Sequence, residues 1–466
     1  MRTKGIIWVL IVVFFLFSSV AQSLAFSIGE ERAIGEKLLY SVRSTFNLVE
    51  DPDIVQYINN LGQTVLEVTG IQFFNYHFYV INNKAFNAFA APSGLIFFYS
   101  GLIATMDSED ELVSVMAHEI GHIVKRHLAA RVEKGKYSSI ASLGLALAAI
   151  AFGGAAAPAL LAGALATGQS INLHFSRQHE EEADLLAYGW MKKMKRNPEA
   201  QAKMLESMRR IARYRSDQLP QYLLTHPNPE GRLHYIESLL DIDETSNKKN
   251  SVVTDDFDFL RFKYRILSKV KDIQLFKTFL LRKIGDKNAT HFSKDMALFG
   301  LSQVARVEND RKESLELIQK VIVAFPQKNI LKTDLAIIEG ESGHFDIAER
   351  TFKKALKTDN EDMYAAFNLA TLLRKIGKTS EAEKYFKIVE SQLPEYSQVY
   401  FELGKIASDN KQQGKAQFYL GKFDLYEGKL KLAETNFRNA MRHANTPEAI
   451  KKESKVLLAK IKKMRS

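Results

Sequence analysis

His118-Glu119-Ile120-Gly121-His122 lies in a strongly apolar segment, and it sets the interpretation of the rest of the chain. The two histidines are four residues apart, about one helical turn, so both imidazoles project from one helix face and can bind one metal ion. Glu119 stands beside the first histidine, where a carboxylate can reach a water molecule at that metal. The pentapeptide predicts a hydrolytic zinc site; a chance match on an amphipathic helix is the alternative.

The flanking residues predict that this motif sits in a buried helix. Ser108 followed by Glu111 is typical of a capping box at a helix start. Apolar residues then recur at helical spacing: Leu112, Val113, Val115, Met116, Ala117, Ile120, Ile123 and Val124. Zinc held here would acidify a water and polarise a peptide carbonyl, while Glu119 takes the water's proton and passes it to the leaving amine.

A catalytic zinc needs a third protein ligand. One known pattern, His-x-x-Gly-x-x-His, supplies it within the same segment. Here Lys125 and Leu128 occupy the glycine and second histidine positions, and His127 is one position off. The third ligand is therefore expected farther along the chain.

A second acidic segment supplies a candidate. Glu180 and Asp184 are one helical turn apart, so Glu180 can bind zinc while Asp184 accepts a hydrogen bond from a ligand imidazole. Glu181 and Glu182 are the near competitors for the ligand role. Glutamates on a helix are usually solvated, so this interpretation depends on the upstream motif.

Residues 1–25 are predicted to be a secretory signal peptide. Arg2 and Lys4 precede an apolar run over residues 6–17, and Ser23-Leu24-Ala25 offers small residues at a cleavage point. The run is shorter than the ~20 residues that cross a bilayer, so an uncleaved anchor is the alternative. The chain contains no cysteine, so any zinc uses His and carboxylate ligands.

The formal net charge is +10. Lysines and arginines alternate with acids along helical segments, so we interpret them as solvated faces and expect no nucleic-acid partner. Peripheral contact with anionic lipid headgroups, or contact with acidic partners, stays open.

Residues 26–240 are predicted to form one domain with a small sheet. Aromatic and β-branched runs at 74–81 and 95–99 predict two strands, joined by a turn-rich segment at 87–94. The sheet edge could align an extended polypeptide through backbone hydrogen bonds, and a purely structural sheet is the alternative. Residues 137–176 contain no Lys, Arg, Asp or Glu. They predict an apolar helical hairpin that covers the site or contacts a membrane or membrane protein, with a transmembrane helix as the alternative.

Four motifs in sequence order resemble one known family. They are Asn87-Ala88-Phe89-Ala90, His118-Glu119-Ile120-Gly121-His122, Ser176-Arg177-x-x-Glu180-x-x-Ala183-Asp184 and Thr225-His226-Pro227-x-Pro229-x-x-Arg232. Together they are similar to the zinc metallopeptidases that include HtpX, mitochondrial Oma-type proteases and CAAX prenyl proteases. The resemblance implies that His118, His122 and Glu180 bind one Zn2+ ion. It also implies that Glu119 is the general base and that Asp184 orients a ligand imidazole.

His226 has two implied roles. In the family the matching histidine lies near the metal, where it stabilises the oxyanion or, in a periplasmic branch, binds zinc as a fourth ligand in the resting state. From the residues alone, a histidine before a proline is more often a turn residue. Arg232 is expected to orient acidic neighbours or substrate. Ser93 departs from the family, where glycine is common, and leaves the conformation of that turn open.

The C-terminal part, residues 258–466, is predicted to be a tetratricopeptide-repeat domain behind a polar linker at 241–257. Two matching sets are offset by 34 residues: Gly343, Ala348, Phe352 and Ala355, then Gly377, Ala382, Phe386 and Val389. Gly428, Ala433, Phe437 and Ala440 show the pattern again. Such repeats stack into a solenoid whose concave side binds peptide segments. An array that only props the first domain is the alternative.

The expected fold class is mainly α: an α+β zincin-like metallopeptidase domain with a small β-sheet, followed by an α-solenoid. With the signal peptide, this arrangement resembles a periplasmic chaperone-protease branch of the family. It implies a zinc-dependent endopeptidase that cleaves misfolded or stalled outer-membrane proteins and assists their assembly. Its repeat domain is then expected to bind substrate or the barrel-assembly machinery. Two alternatives remain: a periplasmic chaperone whose zinc site is latent and gated by His226, and an inner-membrane protease anchored by residues 137–176.

Overall fold

The structure is a computed structural model that describes residues 27–133, 175–214, 221–245, 252–269 and 272–465. The predicted signal peptide, residues 1–25, and residues 137–174 of the predicted apolar hairpin lie outside these ranges. Among the helices of the described ranges, none combines the length and the apolar character needed to cross a bilayer.

The first half of the chain combines helices with three short strands. In order, its elements are α1 (Ile28–Thr45), α2 (Pro52–Leu66), β1 (His77–Ile81), β2 (Ala88–Ala91), β3 (Leu95–Tyr99), α3 (Ser100–Thr105), α4 (Glu109–Val124), α5 (His127–Glu133), α6 (Arg177–Lys193), α7 (Glu199–Tyr214), α8 (Gln221–Thr225) and α9 (Pro229–Thr245). A 3-10 turn, Pro92–Gly94, joins β2 to β3.

The sheet has the order β1-β3-β2, with β1 parallel and β2 antiparallel to β3. Strands β1 and β3 are the two that the sequence predicts. The segment 87–94, predicted to be turn-rich, also contains a third strand, because Ala88–Ala91 pairs in register with Leu95–Phe98. Alanine is depleted in strands, so this segment carries no strand pattern of its own. The turn is confined to residues 92–94, where Ser93 has φ +72°, a conformation that favours glycine.

Helix α4 occupies the centre of the core. Ser108 Oγ accepts a hydrogen bond from the Glu111 amide at 3.4 Å, so the helix begins as predicted. Every residue from Glu109 to Ile123 is buried, because the helix contacts α2, α6, α7 and β2 on different sides. Polar groups on α4 are therefore shielded from water, which strengthens electrostatic interactions among them.

The second half consists of antiparallel helix pairs. Its helices are α10 (Phe257–Leu267), α11 (Ile273–Gly285), α12 (His291–Val307), α13 (Arg311–Ala324), α14 (Ile330–Glu341), α15 (Phe345–Thr358), α16 (Met363–Lys375), α17 (Thr379–Gln392), α18 (Ser397–Asp409), α19 (Gln413–Tyr426), α20 (Leu430–Arg442) and α21 (Glu448–Arg465). From α11 onward consecutive helices pack on each other, so the predicted α-solenoid is confirmed.

The turns inside four pairs keep one period. Asn309, Gly343, Gly377 and Lys411 each have positive φ, and each follows the previous one by 34 residues. Gly428 also has positive φ, but it lies 17 residues after Lys411, half a period. The buried Ala-Phe pattern after Gly428 therefore belongs to a helix added to the last regular pair.

Buried ion pairs join α2 to the repeat helices. Arg261 on α10 contacts Asp53 at 2.7 Å and Asp334 on α14 at 2.8 Å. Arg265 pairs with Asp51 at 2.8 Å and also with Asp53. One apolar cluster continues from α2 through α4 and α10 to α14. The two halves thus share a core across the predicted linker.

Candidate metal centre

Four side chains from three parts of the fold converge on one buried point. His118 and His122 project from α4, Glu180 from the first turn of α6, and His226 from the residue after α8. One ligand atom from each lies within 4.8 Å of the others, and all four side chains are buried. This is the cluster that the sequence predicts as three ligands with a possible fourth.

The separations inside the cluster suit one small ion. His118 Nε2 lies 3.1 Å from His122 Nε2 and 3.4 Å from His226 Nδ1. Glu180 Oε1 lies 3.4 Å from His122 Nε2 and 3.0 Å from His226 Nδ1. Tetrahedral zinc with bonds of about 2.0–2.1 Å holds its ligand atoms roughly 3.3 Å apart. The donor set of imidazoles and one carboxylate is also typical of zinc.

Small residues allow the two ligand helices to approach closely. A Cβ placed on Gly121 of α4 would lie 3.2 Å from Ala183 Cα of α6. Both residues lie within the ligand-bearing turns, so this contact fixes how near Glu180 comes to the two α4 histidines. Gly121 therefore serves helix packing, whereas its neighbours in the motif serve chemistry.

Asp184 lies against the ring of one predicted ligand. Its Oδ1 lies 2.8 Å from His118 Nδ1, and Arg232 binds the same carboxylate through two bonds of 2.7 and 2.8 Å. Gln201 donates to Asp184 Oδ1 at 3.2 Å. Arg232 Nη1 also lies 2.7 Å from Glu180 Oε2, although without hydrogen-bond alignment. Arg232 thus supports two acidic neighbours, in agreement with the role expected for it.

The charges shift the pKa values of these groups. Burial by itself raises the pKa of Asp184, but Arg232 and His118 outweigh it and lower the pKa to about 2. Burial likewise raises the pKa of Glu180, yet His226 and Arg232 hold it well below its ordinary value. Burial and Arg232 lower the pKa of His118, but Asp184 and Glu180 raise it to about 9 in the chain by itself.

Glu119 lies in the same buried space with both oxygens unpaired. It is fully buried, and neither carboxylate oxygen has a hydrogen-bond partner among the residues that the structure describes. His226 Nε2 lies 3.6 Å from Glu119 Oε1. Burying a carboxylate without a hydrogen-bond partner lowers the stability of the fold, so its presence here indicates a ligand or a chemical role.

The donor set fits a divalent cation in charge as well as in geometry. Three buried carboxylates lie in this cluster, on Glu119, Glu180 and Asp184, and one buried guanidinium, on Arg232, contacts the last two. With neutral histidines this leaves an excess of two negative charges, which one Zn2+ ion neutralises. The residues present therefore fit the metal that the sequence motif implies.

The near competitors of Glu180 lie elsewhere. Glu181 is exposed on α6. Glu182 Oε2 contacts His127 Nε2 at 3.1 Å, and His127 Nδ1 lies 2.9 Å from His122 Nδ1. Sequence reasoning considered His127 only as a ligand and missed this contact. Burial lowers the pKa of His127 to about 4, although Glu182 opposes the shift.

Aromatic rings complete the walls of the site. Phe175 stacks on His122 with ring centroids 4.1 Å apart, and Tyr222 stacks on His226 at 4.3 Å. Tyr222 is buried one helical turn before His226, whose amide donates to the Tyr222 carbonyl at 2.7 Å. These rings were not singled out by the sequence, because single aromatic residues carry no spacing signal.

Comparison with known proteins supports the same assignment. Residues 54–240 match Peptidase family M48. The beta-barrel assembly-enhancing protease of Escherichia coli (strain K12) is 37% identical over 211 residues, which cover 44% of this chain and 43% of that protein. The mitochondrial metalloendopeptidase OMA1 of Schizosaccharomyces pombe is 29% identical over 184 residues, covering 40% of this chain and 52% of that protein. The chain thus spans about half the length of these two relatives.

One solved structure is weakly similar to this chain. It is YrrB, described as a TPR protein with an unusual peptide-binding site, which covers 50% of this chain at 15% identity with a TM-score of 0.27. At that score the likeness carries no argument, so the repeat assignment rests on the helix pairs and their period. The match over residues 54–240 and the resemblance carried by the four motifs agree, and both mark this part of the chain as similar to Peptidase family M48.

Proposed function

We propose that this protein is a zinc-dependent endopeptidase in which His118, His122 and Glu180 bind one Zn2+ ion. The observation that carries the proposal is the convergence of these buried side chains on one point. The excess of two negative charges around that point supports a divalent ion. The match of residues 54–240 to a peptidase family supports hydrolysis of peptide bonds as the reaction.

Glu119 is the general base in this proposal. When bound, the Zn2+ ion supplies an acidified water and polarises the scissile carbonyl. Glu119 follows the ligand His118 on α4, and its unpaired oxygens are free to accept the water's proton and return it to the leaving amine. His226, 3.6 Å from Glu119, can donate to the negative charge that develops on the carbonyl oxygen.

Strand β2 is the proposed alignment element for the substrate. It is an edge strand, and its register with β3 turns the backbone N–H and C=O groups of Ala88 and Ala90 away from the sheet. Ala90 lines one surface depression together with His122 and Phe175. An extended polypeptide paired with this edge would therefore pass beside the metal ligands.

Cleavage of casein by the purified full chain tests the proposal. Wild type should cleave casein, and Glu119→Gln should retain one zinc per chain while losing at least about 100-fold in rate, as expected for loss of a general base. Glu181→Gln is the matched control, because Glu181 is exposed beside the ligand Glu180. Equal cleavage by wild type and Glu119→Gln would contradict the proposed base.

A second candidate function is a chaperone with a latent zinc site. It is favoured by His226, whose Nδ1 lies among the three proposed ligands and can serve as the fourth. Four protein ligands close a zinc site, whereas catalysis needs an open position. His226→Ala should raise cleavage if His226 is a gate, and should abolish it if His226 stabilises the transition state.

We extend the proposal to cellular role on the basis of the relatives' names. We propose that the protein is exported to the periplasm by residues 1–25, that it acts on outer-membrane proteins, and that its repeats bind substrate or the barrel-assembly machinery. We also propose that its contact with the membrane is peripheral. Purification of zinc-loaded Glu119→Gln from cell envelopes should enrich outer-membrane β-barrel proteins over wild type, which cleaves them. Equal recovery with both forms would contradict this substrate class.

A further inference from the structure

A second polar group of residues lies behind the metal centre, on the far side of one ligand ring. His122 directs Nε2 toward His118 and Glu180, so its other nitrogen faces away from the metal point. That nitrogen, Nδ1, lies 2.9 Å from His127 Nδ1. Both rings are buried, which makes an unpaired N–H at this position costly.

The contact continues to the surface of the molecule. His127 Nε2 lies 3.1 Å from Glu182 Oε2, and Gln178 donates to the other Glu182 oxygen at 3.0 Å. Glu182 is 36% exposed, so the chain of contacts begins at the metal point and ends at solvent. The proposed hydrolysis gives no role to His127, Glu182 or Gln178.

We propose that His127 is a positioning residue for the metal, acting through His122, and that Glu182 fixes the orientation of His127. This inference rests on the proposed metal site. It concerns how tightly that site holds its ion, not which residues perform hydrolysis.

The reason is that only one arrangement of protons allows metal binding. A metal at His122 Nε2 requires the ring proton on Nδ1, where it is donated to His127 Nδ1. His127 must then carry its own proton on Nε2, where it is donated to Glu182. In the reverse arrangement His127 donates from Nδ1, and the His122 proton lies on Nε2, where it blocks the metal.

Glu182 selects the first arrangement. An ionised carboxylate only accepts hydrogen bonds, so it favours the His127 form that carries its proton on Nε2. Asp184 likewise favours the form of His118 that carries its proton on Nδ1, through direct contact at 2.8 Å. The two α4 ligands are therefore oriented by different devices, a buried carboxylate for His118 and an imidazole backed by a surface carboxylate for His122.

Zinc affinity of the metal-free full chain, measured by competition with a chromophoric chelator, tests the inference. His127→Phe keeps a ring against its neighbours but removes the acceptor, and we expect zinc affinity to fall about 10–100-fold. His127→Asn restores an acceptor oxygen near the position of Nδ1. The zinc affinity of this variant should therefore lie within about threefold of wild type, a smaller loss than the roughly 10–100-fold expected when such a partner is removed.

Variants at Glu182 keep the test decisive if His127→Phe folds poorly. Glu182→Gln should lower zinc affinity about tenfold, the low end of the usual range, because glutamine can donate as well as accept. Glu181→Gln, the same change one residue earlier on an exposed side chain, should leave the affinity unchanged. Thermal unfolding of each metal-free variant shows whether folding is intact.

Two results would overturn the inference. One is wild-type zinc affinity in a folded His127→Phe or Glu182→Gln. The other is equally weak binding by His127→Phe and His127→Asn, since that would assign His127 a packing role alone. If wild type itself binds no zinc, the proposed function fails with it; if wild type binds zinc and cleaves casein, only the positioning role is at stake.

Discussion

Removal of Arg232 should destabilise the first half of the chain more than removal of any exposed arginine. The Arg232 side chain is 5% exposed, and it makes two charged hydrogen bonds to Asp184, which is 1% exposed. Arg232→Met keeps the length and apolar stem but leaves Asp184 and Glu180 buried without their guanidinium. Breaking a buried pair in this way costs about 3–5 kcal/mol. For a cooperative unit of about 150–250 residues this lowers Tm by roughly 6–20 °C.

Thermal unfolding of the zinc-loaded proteins measures this cost. Arg209→Met is the control, because Arg209 pairs with Glu230 at 3.8 Å and the two side chains are 32% and 52% exposed. Such an exposed pair contributes about 0–1 kcal/mol. If Arg232→Met and Arg209→Met unfold at the same temperature, the charge argument for the metal centre is wrong.

Three further predictions concern the framework around the site. Arg261→Leu removes the arginine shared by Asp53 and Asp334, which lie on different halves of the chain, and should lower the free energy of unfolding in urea by about 3–5 kcal/mol. Arg438→Leu, at an exposed pair on one helix, should lower it by under about 0.5 kcal/mol. Burial raises the pKa of Asp51, but the arginine and lysine beside it hold it well below the ordinary value. Its stabilisation is therefore full above about pH 4 and is lost as pH falls through the folded-state pKa, so Asp51→Asn should flatten the acid side of the stability curve. Gly189→Ala should stabilise α6 by about 1 kcal/mol, because the added Cβ meets no atom within 4 Å. Gly62→Ala should destabilise the fold by about 1–3 kcal/mol, because the added Cβ would lie 2.1 Å from the ring of Phe78 on β1.

The sequence predicts which of these side chains share a helix face, because helical spacing is a local property of the sequence. His118 and His122 share a helix face by their separation alone, and Glu180 with Asp184 repeats that logic on a second helix. The structure brings these residues together with His226, although their individual roles stay predictions. The predicted fold class, mainly α with a small sheet, is confirmed. It was predictable because helical periodicity is also a local signal and is strong in both halves.

Two features, the His127–His122 contact and strand β2, depend on a turn or on strand pairing and have no periodic pattern in the sequence. His127 returns to His122 because Arg126, between α4 and α5, adopts φ +51°. Five residues is not a helical spacing, so no periodic pattern indicates this contact. Strand β2 is likewise formed by its register with β3 and not by its alanines.

The repeats show how a period can be hidden by its turn residues. Gly343 and Gly377 reveal the 34-residue spacing, because glycine marks a left-handed turn. Asn309 and Lys411 adopt the same conformation at the same spacing without glycine. A search for glycine therefore finds only part of the regular array.

Zinc titration of the metal-free full chain, with casein cleavage followed at each step, tests the central claim most directly. Cleavage should rise linearly with added zinc and stop rising at one equivalent per chain. Cleavage that is complete without metal, or that needs two or more equivalents, would contradict a single zinc ion at the buried cluster as the source of hydrolysis.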